Sequence, residues 1–286
     1  MSFKIKYYGS RGSIPVSGSR YNEFGGSTTC VLVELTDHTI IIDAGTGIRQ
    51  LGNDLMASGF GSKEGKTVSM LFTHTHWDHI QGFPFFIPAY LPQNKIQIFG
   101  ESKKVTVSDS DSREVWDIEK TMKGQQQFMY FPVSMDNMAA SFSFHPISPD
   151  HPVTIGDVKI SALRMNHPNT TLGFRFDFEN KAFVFATDVE HSDAMVDALI
   201  EFSKDADIFA FDCQYFPDEY EAGKQGWGHS TYEYGIKICE AANVPTLHMI
   251  HHDPTHDDDR LKEMESLAQE SFKNSIMIKE LSEYSL

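Results

Sequence analysis

The pattern of apolar and polar positions predicts strands in both halves of the chain, with few helices in the first half and more in the second. The first half combines one helix, over 46–57, with strands over 3–8, 30–35, 38–45, 67–72 and 94–100. The second half combines helices over 192–203, 230–242 and 256–271 with strands over 138–147, 157–167, 173–179, 181–188, 206–212, 246–252 and 275–281. Residues 9–29 are predicted to form a long Gly- and Ser-rich loop, and Thr36-Asp37 a turn.

Two halves of similar content predict an α/β architecture. We expect two mixed β-sheets packed face to face with helices on their outer sides, a four-layer αββα sandwich. The sequence has no internal repeat, low-complexity tract or linker, so we expect one domain over residues 1–286.

Charge and cysteine content narrow the range of functions. The formal net charge is −16 and no run of Lys or Arg interrupts the acidic chain, which disfavours binding to extended nucleic acid. The three cysteines show no CxxC spacing, so neither a disulfide framework nor a structural zinc site is expected. The sequence has no secretory apolar segment and no stretch of membrane-spanning length, and we therefore expect a cytoplasmic protein without a membrane partner.

The strongest chemical pattern is the run His74-Thr75-His76-Trp77-Asp78-His79, which follows an apolar strand. Four potential metal ligands within six residues cannot all reach one ion comfortably, but they can serve two adjacent ions. His74 and His76 would face one ion, and Asp78 and His79 the other. The alternative is a polar turn of hydrogen-bonded histidines, which does not explain so many imidazoles at the end of a buried strand.

This HxHxDH motif resembles that of the metallo-β-lactamase superfamily, and the resemblance extends over nearly the whole chain. It implies the metallo-β-lactamase fold, with His74, His76 and His167 on one metal, Asp78, His79 and His251 on the second, and Asp188 bridging them. The resemblance implies two divalent ions, of which Zn²⁺ is expected first and Mn²⁺ or iron are alternatives. It also makes Asp43 an outer carboxylate that orients a ligand imidazole.

Several of these assignments have competing explanations in the sequence. His167 could be an ordinary loop histidine before a proline, and Asp188 could cap the helix that follows it. His251 competes with its neighbour His252 for the same role. Arg11 and Ser13 in the N-terminal loop could touch a substrate.

A second motif, Gly228-His229-Ser230-Thr231, precedes a predicted helix. It resembles the phosphodiesterase branch of the superfamily, typified by ribonuclease Z and the cyclic phosphodiesterase of the carbon–phosphorus lyase pathway. The resemblance implies that His229 contacts the reacting phosphate and assists the leaving group. In ribonuclease Z a glutamate supports this histidine; here the corresponding strand end carries Asp212, a departure from that pattern, and we expect Asp212 to take over the role. Helix capping by Ser230 or Thr231 is the alternative, but it leaves His229 unexplained.

The resulting expectation is a dinuclear metal-dependent phosphodiesterase. His229, Asp212 and the metal ligand Asp78 are its catalytic residues, and a small, cyclic nucleotide-like phosphodiester is its substrate. The alternatives are a thioester or lactone hydrolase of the same fold, an iron-dependent redox enzyme and a non-catalytic metal-binding protein. A homodimer is compatible with the sequence.

The expectation of a small substrate comes from residues 101–150, where a ribonuclease Z would carry a basic, glycine-rich arm to grip tRNA. This segment has five basic and eight acidic residues, a net charge of −3, and its one glycine is Gly124. Such a segment would repel a phosphate backbone.

Overall fold

The computed structural model describes residues 3–35, 37–106 and 113–286. Thr36, half of the predicted turn, lies outside these residues. The strands are β1 (Phe3–Gly9), β2 (Cys30–Leu35), β3 (His38–Ile42), β4 (Thr67–Leu71), β5 (Lys95–Gly100), β6 (Lys103–Thr106), β7 (Arg113–Trp116), β8 (Ser141–Pro146), β9 (Val153–Ile155), β10 (Val158–Met165), β11 (Thr171–Phe178), β12 (Lys181–Ala186), β13 (Ile208–Asp212), β14 (Leu247–Ile250), β15 (Ser275–Met277) and β16 (Glu283–Ser285). The helices are α1 (Ile48–Leu55), α2 (Trp77–Ile80), α3 (Ile118–Gln125), α4 (Asp193–Ser203), α5 (Pro217–Glu219), α6 (Tyr232–Ala242) and α7 (Asp258–Ser271).

Most of the strands belong to two seven-stranded mixed sheets. The first has the order β16-β1-β2-β3-β4-β5-β8, and the second has the order β15-β14-β13-β12-β11-β10-β9. The C-terminal strand β16 therefore joins the sheet of the N-terminal half by pairing with β1. The predicted α/β fold with two mixed sheets and helices is confirmed.

The core lies between the sheets, where aliphatic side chains of the first meet aromatic side chains of the second. Val33 and Ile40 belong to the same fully buried cluster as Phe174 and Phe183. A second cluster packs α4, α6 and α7 against the outer face of the second sheet, and a third packs α1 and α3 against the first. Burial of this apolar surface on both faces of each sheet is the main force that holds the four layers together.

Three predicted strands end earlier than the sequence indicated, each before or at a residue expected in the site. β3 ends at Ile42, β12 at Ala186 and β14 at Ile250. Asp43, Asp188 and His251 follow these strands with φ angles of 59°, 54° and 63°. This left-handed conformation is unfavourable for residues other than glycine and ends the extended run. These turns bring the three side chains together: Asp188 and His251 lie among the potential metal ligands, and Oδ2 of Asp43 lies 2.7 Å from Nδ1 of His79.

The segment between β5 and β8 contains elements that the apolar pattern did not predict. β6 and β7 form a separate two-stranded sheet, and α3 follows with Asp117 capping its first turn. The predicted strand over 275–281 is also shorter, because it ends at Met277. Within the described residues, no helix combines the length and apolar character that crossing a bilayer requires.

Candidate metal centre

The residues predicted to bind metal come together at one edge of the two sheets, where strands β3, β4, β12, β13 and β14 end. They form two groups, in each of which the potential ligand atoms lie within 4.8 Å of one another. The histidine-rich group consists of His74, His76, His167 and Asp188. The carboxylate-rich group consists of Asp78, His79, His251 and Asp188.

Asp188 belongs to both groups because its two carboxylate oxygens face opposite ways. Oδ2 lies 3.6 Å from Nε2 of His74 and 3.7 Å from Nε2 of His167. Oδ1 lies 3.2 Å from Nε2 of both His79 and His251. This arrangement suits a carboxylate that joins two neighbouring ions.

The remaining carboxylate, Asp78, belongs to the carboxylate-rich group and not to the histidine-rich group. Its Oδ2 is 3.2 Å from Nε2 of His79 and 3.4 Å from Nε2 of His251. The same oxygen accepts a hydrogen bond of 2.8 Å from the backbone N–H of Ser13. The N-terminal loop therefore contributes to the site through its backbone.

Outer hydrogen bonds orient the imidazoles. Nδ1 of His79 is 2.7 Å from Asp43 Oδ2, and Nδ1 of His251 is 2.9 Å from Gln214 Oε1. Nδ1 of His74 is 3.2 Å from Oγ1 of Thr73, whose hydroxyl donates to the same Asp43 carboxylate. A proton held on each Nδ1 leaves the Nε2 lone pair directed into the cluster. The Nε2 atoms of all three rings are buried and lack a hydrogen-bond partner.

The two groups differ in the charge that surrounds their imidazoles. Burial lowers the pKa of His74 and lowers that of His167 to about 4, although Asp188 opposes the shift in both. Burial also acts on His79 and His251, but nearby carboxylates outweigh it. Asp78, Asp188 and Asp43 raise the pKa of His79 well above its usual value. Asp188 and Asp78 are among the groups that raise the pKa of His251 to about 9.

His251 and His252 point in opposite directions. The left-handed backbone of His251 turns its ring into the cluster, whereas Nε2 of His252 lies 3.2 Å from the carbonyl oxygen of Met249. A Cβ atom at Gly12 would lie 2.5 Å from the His251 ring, so only glycine allows this approach.

His229 lies beside the cluster, paired with a buried carboxylate. Its Nδ1 is 2.8 Å from Oδ2 of Asp212, and its ring stacks on that of His251 with 4.8 Å between centroids. Asp212 also accepts hydrogen bonds from the backbone N–H groups of Asp188, at 3.0 Å, and Gln214, at 3.1 Å. One carboxylate therefore fixes the position of His229 relative to the residue that joins the two groups.

Comparison with known proteins identifies the family of this chain. Residues 38–252 match the model of the family described as the beta-lactamase superfamily domain. The chain belongs to the beta-lactamase superfamily. It is 23% identical to a ribonuclease Z of Lactobacillus helveticus over 77% of this chain and 80% of the relative. It is also 23% identical to the probable metallo-hydrolase YhfI of Bacillus subtilis, over 89% of this chain and 90% of the relative.

Solved structures show that the superfamily fold extends over the whole chain. The crystal structure of Bacillus subtilis YhfI, a metallo-beta-lactamase fold protein, aligns with a TM-score of 0.69 at 19% identity and covers 100% of this chain and 99% of that one. A diphosphatase from the PhnP family aligns with a TM-score of 0.68 at 16% identity, covering 99% of this chain and 98% of that one. The predicted metallo-β-lactamase fold is confirmed.

The donors of this superfamily member fit metal binding. Imidazole nitrogens and carboxylate oxygens are the ligands that zinc, manganese and iron accept, and the inward Nε2 atoms have no other partner. Each group is compact enough to surround one ion. Among the described residues, the three cysteines are buried free thiols, and none belongs to either group.

The structure also shows what the two candidates in the N-terminal loop, Arg11 and Ser13, contact. Arg11 is fully buried and donates to the backbone oxygens of Gly25, at 2.9 Å, and His256, at 2.6 Å. It ties the N-terminal loop to the segment after β14. Ser13 reaches the site through its N–H.

Several positioning residues were missed by the sequence analysis, namely Gly12, Thr73, Glu190 and Gln214. Gln214 stands two residues after Asp212, and Thr73 directly before His74, so proximity in the chain was the available signal. Glu190 has a comparable place, two residues after Asp188, and accepts hydrogen bonds from the backbone N–H groups of Gly226 and Gly228. No periodic pattern indicates these four residues, because they act through individual hydrogen bonds or close contacts.

Proposed function

We propose that this protein is a dinuclear metal-dependent phosphodiesterase that hydrolyses a small phosphodiester. The observation that carries the proposal is the His229–Asp212 pair, which lies against two ligand groups that share Asp188. A metal cluster alone would serve many kinds of hydrolysis, whereas a histidine held by a carboxylate beside it adds a proton donor. The names of the relatives support the same reaction class, since they include ribonuclease Z and a diphosphatase.

The histidine-rich group would hold one divalent ion and the carboxylate-rich group the other. When bound, such ions neutralise phosphate charge and lower the pKa of water so that it attacks at neutral pH. Zinc is the first candidate for both sites, with manganese or iron as alternatives. Asp78 acts as a ligand, and its contact with the Ser13 N–H restrains it.

His229 supplies the proton that the leaving group needs. Hydrolysis forms a bond from water oxygen to phosphorus and breaks the bond to the leaving oxygen, which takes a proton from Nε2 of protonated His229. Asp212 accepts the hydrogen bond from Nδ1, which keeps Nε2 directed away from the carboxylate. Asp212 is therefore a positioning residue for His229.

We propose a small substrate because the segment in which a ribonuclease Z would carry its basic arm is acidic in this sequence. Residues 101–150 carry a net charge of −3 within a protein of net charge −16, and extended nucleic acid is bound mainly through cations. One lysine of this segment, Lys103, is engaged: its ammonium donates to the backbone oxygens of Asn169 and Thr170.

The deciding experiment is a substrate panel on protein loaded with Zn²⁺, Mn²⁺ or Fe²⁺. It compares bis-p-nitrophenyl phosphate and a cyclic phosphodiester with a thioester, a lactone and precursor tRNA. Turnover of the small phosphodiesters, abolished by chelation, is the expected result. Faster turnover of the thioester or lactone would replace the phosphodiesterase assignment, and efficient, salt-sensitive tRNA cleavage would refute the small-substrate assignment. Iron retained as isolated, with oxygen consumption in place of hydrolysis, would indicate a redox enzyme.

A further inference from the structure

A short loop between α5 and His229 is fixed against the site by one carboxylate. Glu190 accepts hydrogen bonds from the Tyr220 hydroxyl at 2.7 Å and from the backbone N–H groups of Gly226 at 2.6 Å and Gly228 at 3.0 Å. The Glu190 N–H in turn donates to the carbonyl of Asn166 at 2.7 Å. The loop 220–228 is therefore held next to the segment that carries His167.

The end of this loop lies directly against a ligand. Gly228 has a φ of 90°, and a Cβ atom there would lie 2.3 Å from the His167 ring. Its neighbour Trp227 therefore belongs to the chain segment that borders the site. Trp227 is nevertheless 57% exposed, although tryptophan is highly buried on average.

Lys224 orders the indole from one side. Its Nζ lies 4.4 Å from the centroid of the Trp227 ring and 5.2 Å from that of Tyr215. The Tyr215 ring lies 6.0 Å from the His229 ring. Trp227, Lys224 and Tyr215 thus form a series of contacts between the solvent-exposed surface and His229, the proposed proton donor.

Lys224 has aromatic surroundings. Among the described residues it forms no ion pair, and its ammonium contacts aromatic rings instead. A cation over one face of the indole restrains the ring and leaves the rest of it accessible. This is the arrangement of a binding surface for another planar group.

We propose that Trp227, held by Lys224, is a specificity-determining residue that stacks on an aromatic group attached to the leaving-group side of the substrate. The inference rests on the proposed function, because His229 defines which side carries the leaving group. Aromatic stacking tolerates different rings, and therefore it selects a class of leaving group and not a single compound.

Two five-membered cyclic phosphates test the proposal. Uridine 2′,3′-cyclic phosphate and glycerol 1,2-cyclic phosphate share the strained ring and an alcohol leaving group, but only the first carries an aromatic ring. We expect wild-type kcat/KM to favour the uridine compound by about 10-fold or more, the usual contribution of one stacked base. Trp227→Ala should remove this preference and leave turnover of the glycerol compound unchanged, and Trp227→Phe should retain part of it.

The control is Phe128→Ala, which removes an aromatic side chain that is 83% exposed in the segment after α3. It should leave both substrates unaffected. If Trp227→Ala slows both substrates equally, or if the preference survives it, the stacking role is wrong.

A binding measurement separates this inference from the proposed function. Calorimetry of metal-loaded protein with uridine 3′-phosphate and glycerol phosphate reports stacking without turnover. If Trp227→Ala lowers the affinity for uridine 3′-phosphate by about 10-fold and leaves that for glycerol phosphate unchanged, the inference is upheld. This holds even if neither cyclic phosphate is hydrolysed, because that result would refute only the phosphodiesterase activity. Equal affinities of wild type for the two ligands would overturn the inference.

Discussion

The two ligand groups share Asp188 but are built differently around it. The histidine-rich group has three imidazoles and one carboxylate, and His76 and His167 are only partly buried. The carboxylate-rich group has two imidazoles and two carboxylates, all of them buried. Asp43 and Gln214 orient its imidazoles directly, and the Ser13 N–H binds its carboxylate.

This difference predicts that the two sites hold their ions with different affinity. A second negative charge and a complete outer set of hydrogen bonds favour tight, rigid binding of a cation. The histidine-rich group has fewer such restraints, and two of its rings are within reach of solvent. We therefore expect the carboxylate-rich group to retain its ion longer during chelation.

Removal of the shared residue should have the largest effect. Asp188→Ala takes one ligand from each group and a carboxylate from between two clusters of imidazoles, so both ions should be lost and hydrolysis should fall to background. Elemental analysis and activity on the same preparation measure this. The control is Asp259→Ala, whose side chain is 96% exposed. Loss of one ion only would show that Asp188 does not bridge.

His229 should matter for chemistry and for neither ion. His229→Ala removes the proton donor, and kcat should fall by roughly 10²–10⁴, the usual range for a general acid. Both ions should remain, because His229 belongs to neither of the two ligand groups that share Asp188. Asp212→Asn should reproduce part of the loss, since it alters the support of the same ring. Metal loss in His229→Ala would make this residue a ligand.

Outer partners should distinguish the groups more finely. Gln214→Ala removes the partner of His251 and should weaken only the carboxylate-rich site, by roughly 10- to 100-fold. Asp43→Asn should weaken that site through His79 and, to a smaller extent, the histidine-rich site through Thr73 and His74. Competitive titration with a chromogenic chelator resolves two affinities. If Gln214→Ala and Asp43→Asn lower the two metal affinities by the same factors, the outer hydrogen bonds do not distinguish the two groups.

Proton release should show the smallest difference. In the metal-free protein His251 has a pKa raised to about 9 and is protonated at pH 7, so an ion entering the carboxylate-rich group must displace protons. His167, with a pKa lowered to about 4, is already neutral there. Affinity should therefore rise with pH between 6 and 8 at one site and change little at the other. Calorimetry in buffers of different ionisation enthalpy measures the released protons.

The site shows which of its features could be predicted from the sequence. The HxHxDH run was readable because a short turn keeps four potential ligands close in the chain, whatever the rest of the fold does. His167, Asp188 and His251 were placed by family resemblance at strand ends, and the structure brings them to the same cluster. Their orientation was not readable, because the left-handed conformations of Asp188 and His251 break the strand alternation from which a facing could be inferred.

Local periodicity and neighbouring residues were enough to predict the α/β class and most of the strands, and to identify the chemical groups of the site. Three features depend on how the chain packs: which carboxylate oxygen faces which imidazole, the enclosure of Arg11, and the hydrogen bonds by which Glu190 fixes the loop before His229. These contacts join residues distant in the chain, such as Gly12 and His251. Their geometry results from how the two sheets pack, and no single segment carries that information.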